Sequence, residues 1–372
     1  MFKKITLVAS LSMATFSFSQ TVSTVNEGNF YDSIAQDSQG IIYCSDFPNG
    51  SVYKYDTSGN VTVFASGFTN PNGVAVNGQD EIFICDATAN TVSKYAASGN
   101  LLTTYSTDIN NPTGIKNIPG TTDMLIVEYN NNTLKQLASD GTVTTLFSGA
   151  PLNGPSGIAF VNGETFISNY NNRMIMKFEG GAMTMLTQLP ATAPNANFLG
   201  FITASNSQLY ATQLGEHKVY QIDPISGNGT VYGGSSLGND DGDISTATFN
   251  FPNGILADAT NDRIYVSDAG TSNLRIIDNA FLSTTDFDQS ENNFEVFINK
   301  EKDTLNINAN LFSDEKVSIK IFEVSGKEIL SKDFNVENLV FSKAIDTNKI
   351  SPGIYFILLS QNGSIMSKKV IL

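Results

Sequence analysis

The chain has 372 residues, with 21 Lys or Arg against 36 Asp or Glu, so its formal net charge at pH 7 is -15. Phosphate backbones and anionic lipid headgroups repel so acidic a chain, which argues against nucleic acid as a partner. A content of 41% hydrophobic residues is enough for a large core. One His and two Cys exclude sites that need several imidazoles or four thiolates.

Residues 1–19 are predicted to be a signal peptide. Lys3 and Lys4 precede an apolar stretch from Ile5 to Phe18, and small residues stand before a cleavage site at Gln20. The stretch is shorter than the roughly 20 residues of a membrane-spanning helix, and no later segment is longer or more apolar. The sequence therefore predicts export without a transmembrane segment.

A short phrase, Pro-x-Gly followed by an aliphatic residue, recurs through the middle of the chain. Clear copies begin at Pro71, Pro112, Pro155 and Pro252. Two copies are weaker: Asp32-Ser33-Ile34 matches the second to fourth positions of the phrase, and Phe198-Leu199-Gly200-Phe201 matches all four. The third position falls at residues 33, 73, 114, 157, 200 and 254, in steps of 40, 41, 43, 43 and 54 residues. Self-similarity at this period indicates a repeat architecture of six units.

Every unit repeats the same order of short strands. A β-rich run closed by a polar residue follows the phrase, a second strand comes next, and in five units a Gly-containing turn such as Ser58-Gly59 leads to a further strand. Gly accepts the positive φ of tight hairpins, so the flanking strands should be antiparallel neighbours. Four antiparallel strands in each of six units predict an all-β fold, a six-bladed β-propeller over residues 20–285.

The two ends of this region are predicted to share one blade. The sixth unit has no convincing outer strand after Asp278, whereas the segment from Thr21 to Val25 matches the outer strand of the other units. Pairing these two segments would leave no open edge at the junction of the first and last repeats.

The segment from Gly238 to Asp278 resembles an NHL repeat. It couples a loop containing Asp-Gly, a Pro-x-Gly phrase, a strand closed by Asp and a strand containing Arg-Ile. The other units are similar, more loosely, to the gluconolactonase and senescence-marker-protein-30 superfamily. The resemblance implies a β-propeller and, for that superfamily, a divalent-metal site to which the second position of the phrase contributes.

Residues 295–372 are predicted to be a separate domain, joined by a linker at 286–294. The segment from Thr21 to Glu291 carries 9 basic and 26 acidic residues, whereas 295–372 carries ten of each. Alternating apolar residues, as in Val317–Glu323 and Gly353–Ser360, predict a small Ig-like β-sandwich.

This tail resembles the type A C-terminal sorting domain of the type IX secretion system found in Bacteroidetes. The matching pieces are Leu305–Ile307, Val317–Ile329, Pro352–Ile357 and Lys368–Leu372. The resemblance implies that the type IX machinery is a partner of 295–372, and that the protein passes through the periplasm and is then secreted or attached to the outer cell surface. The alternative is an ordinary Ig-like ligand-binding module.

Two rings of polar residues are predicted on the propeller face around the central channel, since the loops that carry both open there. The strand-closing ring is Asp46, Asp86, Glu128, Asn169, Gln213 and Asp268, and the second positions of the phrase are Asp32, Asn72, Thr113, Ser156, Leu199 and Asn253. All of these side chains except that of Leu199 bear oxygen atoms, and such groups suit Ca²⁺ or Mg²⁺, or the hydroxyl groups of a sugar. Alternatively, the strand-closing residues accept hydrogen bonds from the turns that follow them.

Further candidates lie outside these rings. Asp240, Asp241 and Asp243 form an acidic loop that could hold Ca²⁺ or could be merely solvated. The single His217 is predicted to be a solvent-exposed turn residue. Cys44 lies two residues before a strand end and Cys85 one residue before, so the two thiols should point to opposite faces and remain free and buried.

Two functional hypotheses follow. In the first, the protein is a secreted or cell-surface binding module for an extracellular glycan, peptide or surface partner. In the second, implied by the superfamily resemblance, it is a metal-dependent lactonase or esterase in which Asp32, Asn72 and Asn253 bind Ca²⁺ or another divalent cation. Thr113, Ser156 and Leu199 stand where that second hypothesis would want more ligands.

Overall fold

The computed structural model describes residues 20–26, 28–192, 198–281, 294–299, 304–311, 316–323, 327–336, 339–348, 350–351, 353–361 and 364–371. The chain forms two compact units, residues 1–282 and 283–372. The predicted signal peptide and residues 286–293 of the predicted linker lie outside the described residues.

The first unit contains six antiparallel sheets, which we call blades 1 to 6. Strand β1 spans Thr21–Asn26. Blade 1 is Ile34–Gln36, Ile42–Asp46, Ser51–Tyr55 and Val61–Ser66 (β2–β5); blade 2 is Pro71–Val76, Ile82–Asp86, Thr91–Tyr95 and Leu101–Tyr105 (β6–β9); blade 3 is Pro112–Asn117, Met124–Glu128, Thr133–Leu137 and Val143–Ser148 (β10–β13). Blade 4 is Pro155–Val161, Glu164–Asn169, Met174–Glu179 and Ala182–Gln188 (β14–β17); blade 5 is Leu199–Ser205, Gln208–Gln213, Lys218–Ile222 and Gly229–Gly233 (β18–β21); blade 6 contains Gly242–Asp243, Pro252–Asp258, Arg263–Asp268 and Asn273–Asp278 (β22–β25).

The innermost strands form a closed ring. Each of β2, β6, β10, β14, β18 and β23 contacts the innermost strand of the next blade, and β23 returns to β2. The prediction of a β-propeller is confirmed. Between neighbouring blades lie clusters of buried apolar side chains, such as that of Tyr43, Val52 and Ile84 between blades 1 and 2. The second strands of blades 1 to 3 are buried along their whole length, because a blade covers each of their faces.

The N-terminal strand closes the ring, as predicted. Strand β1 pairs antiparallel with β25, with Thr21 opposite Asp278 and Val22 opposite Ile277. The sheet extends beyond the prediction, because the short strand β22 pairs with the outer edge of β1 and gives blade 6 five strands. The longest interval between repeats supplies that extra strand.

The second unit is a small β-sandwich, as predicted. Its strands are Glu295–Asn299, Thr304–Asn310, Val317–Glu323, Glu328–Phe334, Val340–Asp346, Ile354–Gln361 and Ser364–Ile371 (β26–β32). Strands β26, β27 and β30 form one sheet, and β29, β28, β31 and β32 form the other. Alternate residues of β27, β28 and β31, including Leu305, Ile307, Ile319 and Ile357, are buried in the shared core.

Both cysteines are free and buried, as predicted. Cys44 packs with residues of blades 6 and 1, whereas Cys85 packs in the cluster between blades 2 and 3. The two thiols therefore belong to different interblade layers.

We expect Val22→Ala to lower the free energy of unfolding of the propeller by about 2 kcal/mol, because it removes two buried methyl groups and leaves a cavity. Val22 is 2% exposed and packs with Ile264 and Ile277, whereas the neighbouring Thr21 is exposed. Denaturant unfolding of the full chain, followed at the propeller transition, measures the loss. Thr21→Ala is the control and should have almost no effect; equal effects of the two variants would contradict the placement of β1.

Candidate functional site

A cavity of about 680 Å³ opens at the centre of the propeller. All six blades contribute side chains to its wall. The lining residues are Tyr31, Asp32, Phe47, Asn72, Ala87, Thr88, Asn111, Thr113, Tyr129, Asn130, Ser156, Tyr170, Phe198, Phe201, Leu214, Phe251, Asn253, Ala269 and Gly270. Aromatic rings and small polar groups thus share one concave surface, which is the usual composition of a ligand pocket.

The second positions of the repeated phrase meet in this cavity. Five of the six predicted residues line it: Asp32, Asn72, Thr113, Ser156 and Asn253. The prediction for blade 5 is wrong by one residue. Leu199 pairs with Gln213 there as Pro155 pairs with Asn169 in blade 4, so Gly200 holds the second position and Phe201 the third. This copy lacks the proline that marks the register, and a Cβ on Gly200 would collide with Thr212 Oγ1 and the Asn253 carbonyl oxygen.

Asp32 lies between two amides from the neighbouring blades. Asn72 Nδ2 donates to Asp32 Oδ2 at 3.3 Å, and Asn253 Nδ2 donates to Asp32 Oδ1. The carboxyl group is 3% exposed. Asp32 therefore links blade 1 to blade 2 through a residue 40 positions away in sequence, and to blade 6 through a residue 221 positions away.

Burial, together with the smaller effect of the nearby Asp46 carboxylate, raises the pKa of Asp32 to about 8. The two amide donors favour the charged form, but a fully enclosed carboxylate without a cation loses more hydration than they restore. Asp32 therefore carries a proton at pH 7.

The three predicted metal ligands meet, but their arrangement does not fit a divalent cation. Ca²⁺ and Mg²⁺ take several oxygen ligands, and charged carboxylates lead among them. Here Asn72 and Asn253 turn amide nitrogens toward one carboxyl group. The hydroxyl groups of Thr113 and Ser156 donate to the carbonyl oxygens of Pro155, at 2.8 Å, and Gly200, at 3.0 Å. Within the described ranges, no group of three His, Cys, Asp or Glu residues could hold a metal.

An aromatic wall faces the polar residues. The Tyr170 and Phe198 rings stack with centroids 4.8 Å apart, and the Tyr129 ring lies edge-on to Tyr170 at 6.0 Å. The Tyr129 hydroxyl donates to Asn171 Oδ1 at 2.7 Å, which fixes its ring. Burial, with smaller contributions from Tyr129 and Asp32, raises the pKa of Tyr170 to about 12, so the phenol stays neutral.

The strand-closing residues lie behind the cavity. All six are buried and none lines it. Five of them bind the backbone of the loop that leads into the innermost strand of their own blade: Asp86 to Thr69 N and Asn70 N, Glu128 to Asn110 N, Asp268 to Asn250 N, Asn169 to Pro151 O, and Gln213 to Pro190 O, at 2.7–3.1 Å. Asp46 accepts from Asn49 Nδ2 within its own turn, at 3.0 Å. Five of the six strand-closing residues therefore hold the loops that carry the phrase.

The residue after each strand-closing residue faces the cavity. These residues are Phe47, Ala87, Tyr129, Tyr170, Leu214 and Ala269, and every one of them lines it. The sequence interpretation missed them because it followed the polar column. The sequence does contain a signal for them, because the aromatic residues Phe47, Tyr129 and Tyr170 each directly follow a strand-closing residue.

The acidic loop does not form a common site. Asp241 accepts from Thr24 N at 3.0 Å and from Arg275 Nη2 at 2.8 Å, and Asp243 accepts from Ser245 N at 2.9 Å. The carbonyl oxygen of Asp240 also accepts from Arg275, at 3.0 Å. These residues join the loop to blade 6 and are not in the wall of the cavity.

Arg275 belongs to the Arg-Ile strand of the sequence motif, which gave it no role, and it is the centre of that network. Its side chain is fully buried and lies 3.3 Å from the equally buried Asp268 carboxylate. Its guanidinium also lies over the Phe249 ring, 5.2 Å from the centroid. Burial raises the pKa of Asp268 to about 6, although the Asn250 amide and Arg275 both stabilise its charged form.

His217 lies in a turn with φ 59°, as predicted, but its imidazole is partly buried rather than free in solvent. Nδ1 accepts from Phe251 N at 3.2 Å, and the ring packs edge-on to the Phe251 ring at 4.8 Å. Burial lowers the pKa of His217, which keeps Nδ1 available as an acceptor. His217 thereby supports a residue of the cavity wall.

We expect Arg275→Met to lower the free energy of unfolding by about 3–5 kcal/mol, because it leaves the Asp268 carboxylate buried without a cation. The matched control is Arg263→Met in the same blade, since the Arg263–Asp278 pair is 41% and 36% exposed and should contribute about 0–1 kcal/mol. Chemical denaturation measures both. Adding Asp268→Asn to Arg275→Met should recover part of the loss; an equal loss for the two single variants would contradict this reading.

We expect the stability of the propeller to fall from pH 4 to pH 8 through Asp32. The folded state keeps a proton on Asp32 up to about pH 8, whereas the unfolded chain releases it near 3.8, so the unfolded state binds fewer protons in this window. Above pH 8 this contribution is constant. The melting temperature of wild type minus that of Asp32→Asn, measured across the range, should decrease up to pH 8 and then level off; a flat difference would show an ordinary, ionised Asp32.

Residues 295–372 match the secretion system C-terminal sorting domain family. No curated protein matches the chain by sequence.

Solved structures share the fold of the first unit. Auxiliary nutrient binding proteins from Bacteroides thetaiotaomicron and Bacteroides ovatus superpose with TM-scores of 0.60 and 0.58 at 14% and 13% identity, over 69% and 70% of this chain and 76% and 77% of theirs. A gluconolactonase from Xanthomonas campestris gives a TM-score of 0.55 at 15% identity, over 70% of this chain and 89% of that one. At such identities the likeness establishes the fold alone.

No helix in the described part of the chain is long and apolar enough to cross a membrane. The sorting domain implies export by the type IX secretion system. The chain therefore combines a β-propeller with a secretion system C-terminal sorting domain.

Proposed function

We propose that this chain is a secreted or cell-surface binding protein, in which the central cavity of the propeller holds an extracellular ligand and the sorting domain directs export. The observation that carries the proposal is the single cavity in which the Asp32, Asn72 and Asn253 side chains face a wall of aromatic rings. Its volume of about 680 Å³ lies within the roughly 300–1,000 Å³ of small-molecule sites.

The chemistry of the wall supports binding over catalysis. Among the described residues that line the cavity, the ionisable groups are Asp32 and three tyrosines. Nucleophilic catalysis needs a nucleophile within hydrogen-bond reach of a base, and glycoside hydrolysis needs two carboxyl groups. Asp32 is instead held by two amides, and Thr113 and Ser156 donate to backbone carbonyl oxygens.

The structurally similar proteins are consistent with a binding role. Two proteins of the same fold are described as auxiliary nutrient binding proteins. A protein delivered outside the cell by its sorting domain would meet such ligands there, and the predicted signal peptide would begin that route.

A metal-dependent lactonase is the second candidate. The observation that favours it is the meeting of Asp32, Asn72 and Asn253 in a fold shared with a gluconolactonase. The direction of the amides disfavours it.

We expect no change in the melting temperature of the full chain when Ca²⁺, Mg²⁺, Mn²⁺ or Zn²⁺ replaces EDTA at pH 7. A cation that bound only the folded state at a hundred times its Kd would stabilise it by about 2.7 kcal/mol, which thermal unfolding would detect. A saturable rise that is lost in Asp32→Ala would favour the lactonase and justify assays with lactones and esters.

We expect Tyr170→Ala to weaken ligand binding at least about tenfold, because it removes the central ring of the aromatic wall. Ligands would first be found on glycan and peptide arrays with the full chain and then measured by calorimetry. Tyr170→Phe keeps the stacking with Phe198 and tests the hydroxyl group alone. The control, Phe297→Ala, truncates a half-exposed ring of the second unit; ligands whose affinity depends on Phe297 and not on Tyr170 would contradict the proposed site.

A further inference from the structure

We propose that Phe251 is a ligand-binding residue of the cavity wall and that His217 is the residue that positions it. This inference rests on the proposed binding function and assigns one part of its recognition surface, the part that contacts an apolar face of the ligand. It follows from the backbone conformation of Phe251, from its exposed ring and from the same place in other blades.

The backbone at Phe251 has a left-handed conformation that its side chain disfavours. Its φ is 55°, and among the described non-glycine residues of the first unit with positive φ, Phe251 is the only apolar one. Glycine and asparagine adopt this conformation readily, whereas a bulky side chain brings its Cβ too close to the backbone. Phe251 therefore carries backbone strain.

Blades 3 and 4 use the same geometry with residues that suit it. Asn111 and Gly154 also directly precede the proline of the repeated phrase, with φ of 50° and 60°. Asn111 N donates to Asn90 Oδ1, and Gly154 N donates to Asn132 Oδ1, both at 2.7 Å. Each acceptor is the fourth residue after the strand-closing residue of the preceding blade. An amide side chain of one blade thus holds the loop of the next.

Between blades 5 and 6 both partners are aromatic. His217 is likewise the fourth residue after the strand-closing Gln213, and its Nδ1 accepts from Phe251 N at 3.2 Å. The imidazole also packs edge-on against the Phe251 ring, with centroids 4.8 Å apart. The backbone hydrogen bond of the other blades is kept and a ring is added. His217 therefore fixes both the backbone and the ring of Phe251.

The fold does not need the added ring. Asn111 and Gly154 show that the loop forms without one, and the Phe251 side chain is 45% exposed, so burial offsets little of the strain. Strained residues that their surroundings hold in place cluster at ligand-binding and catalytic sites. Phe251 lines the cavity, where an exposed aromatic ring is suited to cover an apolar face of a ligand.

The first experiment replaces Phe251 by the residue of blade 3. The probe is the glycan or peptide that binds the full chain most tightly on the arrays. Phe251→Asn removes the ring and relieves the strain, so the Kd for the probe should rise at least about tenfold while the melting temperature stays within about 2 °C of wild type. The control, Phe251→Tyr, keeps the ring, and its Kd should stay within about threefold of wild type.

The outcomes of this experiment separate the inference from the proposed function. A larger fall in the melting temperature of Phe251→Asn would show that the fold needs the ring, and an unchanged Kd would show that the probe does not contact it. Either result overturns the inference and leaves the proposed function intact. Failure of every glycan and peptide to bind the wild-type chain would overturn the proposed function, and the inference with it.

The second experiment tests the positioning role by rescue. His217→Leu removes the acceptor of the Phe251 N–H, so the Kd for the same probe should rise at least about fivefold. His217→Asn supplies the amide oxygen that Asn90 and Asn132 supply in their blades, and its Kd should stay within about threefold of wild type. Equal Kd values for the two variants would overturn the role of His217.

A spectroscopic measurement tests the same hydrogen bond in the wild-type chain. His217 is the only histidine of the sequence, so its imidazole signals need no further assignment. A neutral imidazole that accepts through Nδ1 carries its proton on Nε2. A long-range ¹H–¹⁵N spectrum of the full chain at pH 7.5 should show that tautomer. A proton on Nδ1, or the averaged shifts of a freely exchanging imidazole, would overturn the role of His217.

Discussion

Closure of the ring is the constraint on which the site depends. Strand β1 comes from the start of the described chain and pairs with β25, so the first and last blades are neighbours. The hydrogen bond from Asn253 to Asp32 crosses that same junction. A propeller that failed to close would separate these residues and open the cavity at its most polar point. The buried Arg275 stabilises the same junction. It binds Asp268, and it also binds Asp241, whose carboxylate accepts a hydrogen bond from β1.

In each blade, the residue that closes the second strand and the residue after it have different roles. In five of the six blades the strand-closing side chain binds the loop before the innermost strand, and in all six the next residue lines the cavity. Successive side chains at a strand end point in opposite directions, so a one-residue step separates support from recognition. The strand-closing residue is polar in every blade. The residue that follows the strand-closing position varies from Ala87 and Ala269 to Tyr129 and Tyr170. One side of the cavity is therefore aromatic, and another is lined by small side chains.

Much of the fold was predictable because spacing and turn residues repeat. The repeats, the closing strand and the β-sandwich follow from patterns that neighbouring residues carry. The register of blade 5 did not follow, because Leu199 stands where four of the other blades have proline and only strand pairing reveals the shift. The roles of Arg275 and Tyr170 were missed, because they depend on Asp241 and Phe198, which are distant in sequence. The neutral state of Asp32 was equally hidden, because it depends on burial and on Asp46 rather than on any motif.

The central claim is that one cavity, at the closed centre of the ring, receives the ligand. Hydrogen–deuterium exchange of the full chain, with and without a saturating concentration of the glycan or peptide that binds most tightly on the arrays, tests it most directly. The account predicts added protection confined to the backbone around Asp32, Tyr129, Tyr170 and Asn253, with the outer strands of the blades unchanged. Protection on those outer strands or on the second unit, with none at the four cavity segments, would contradict it.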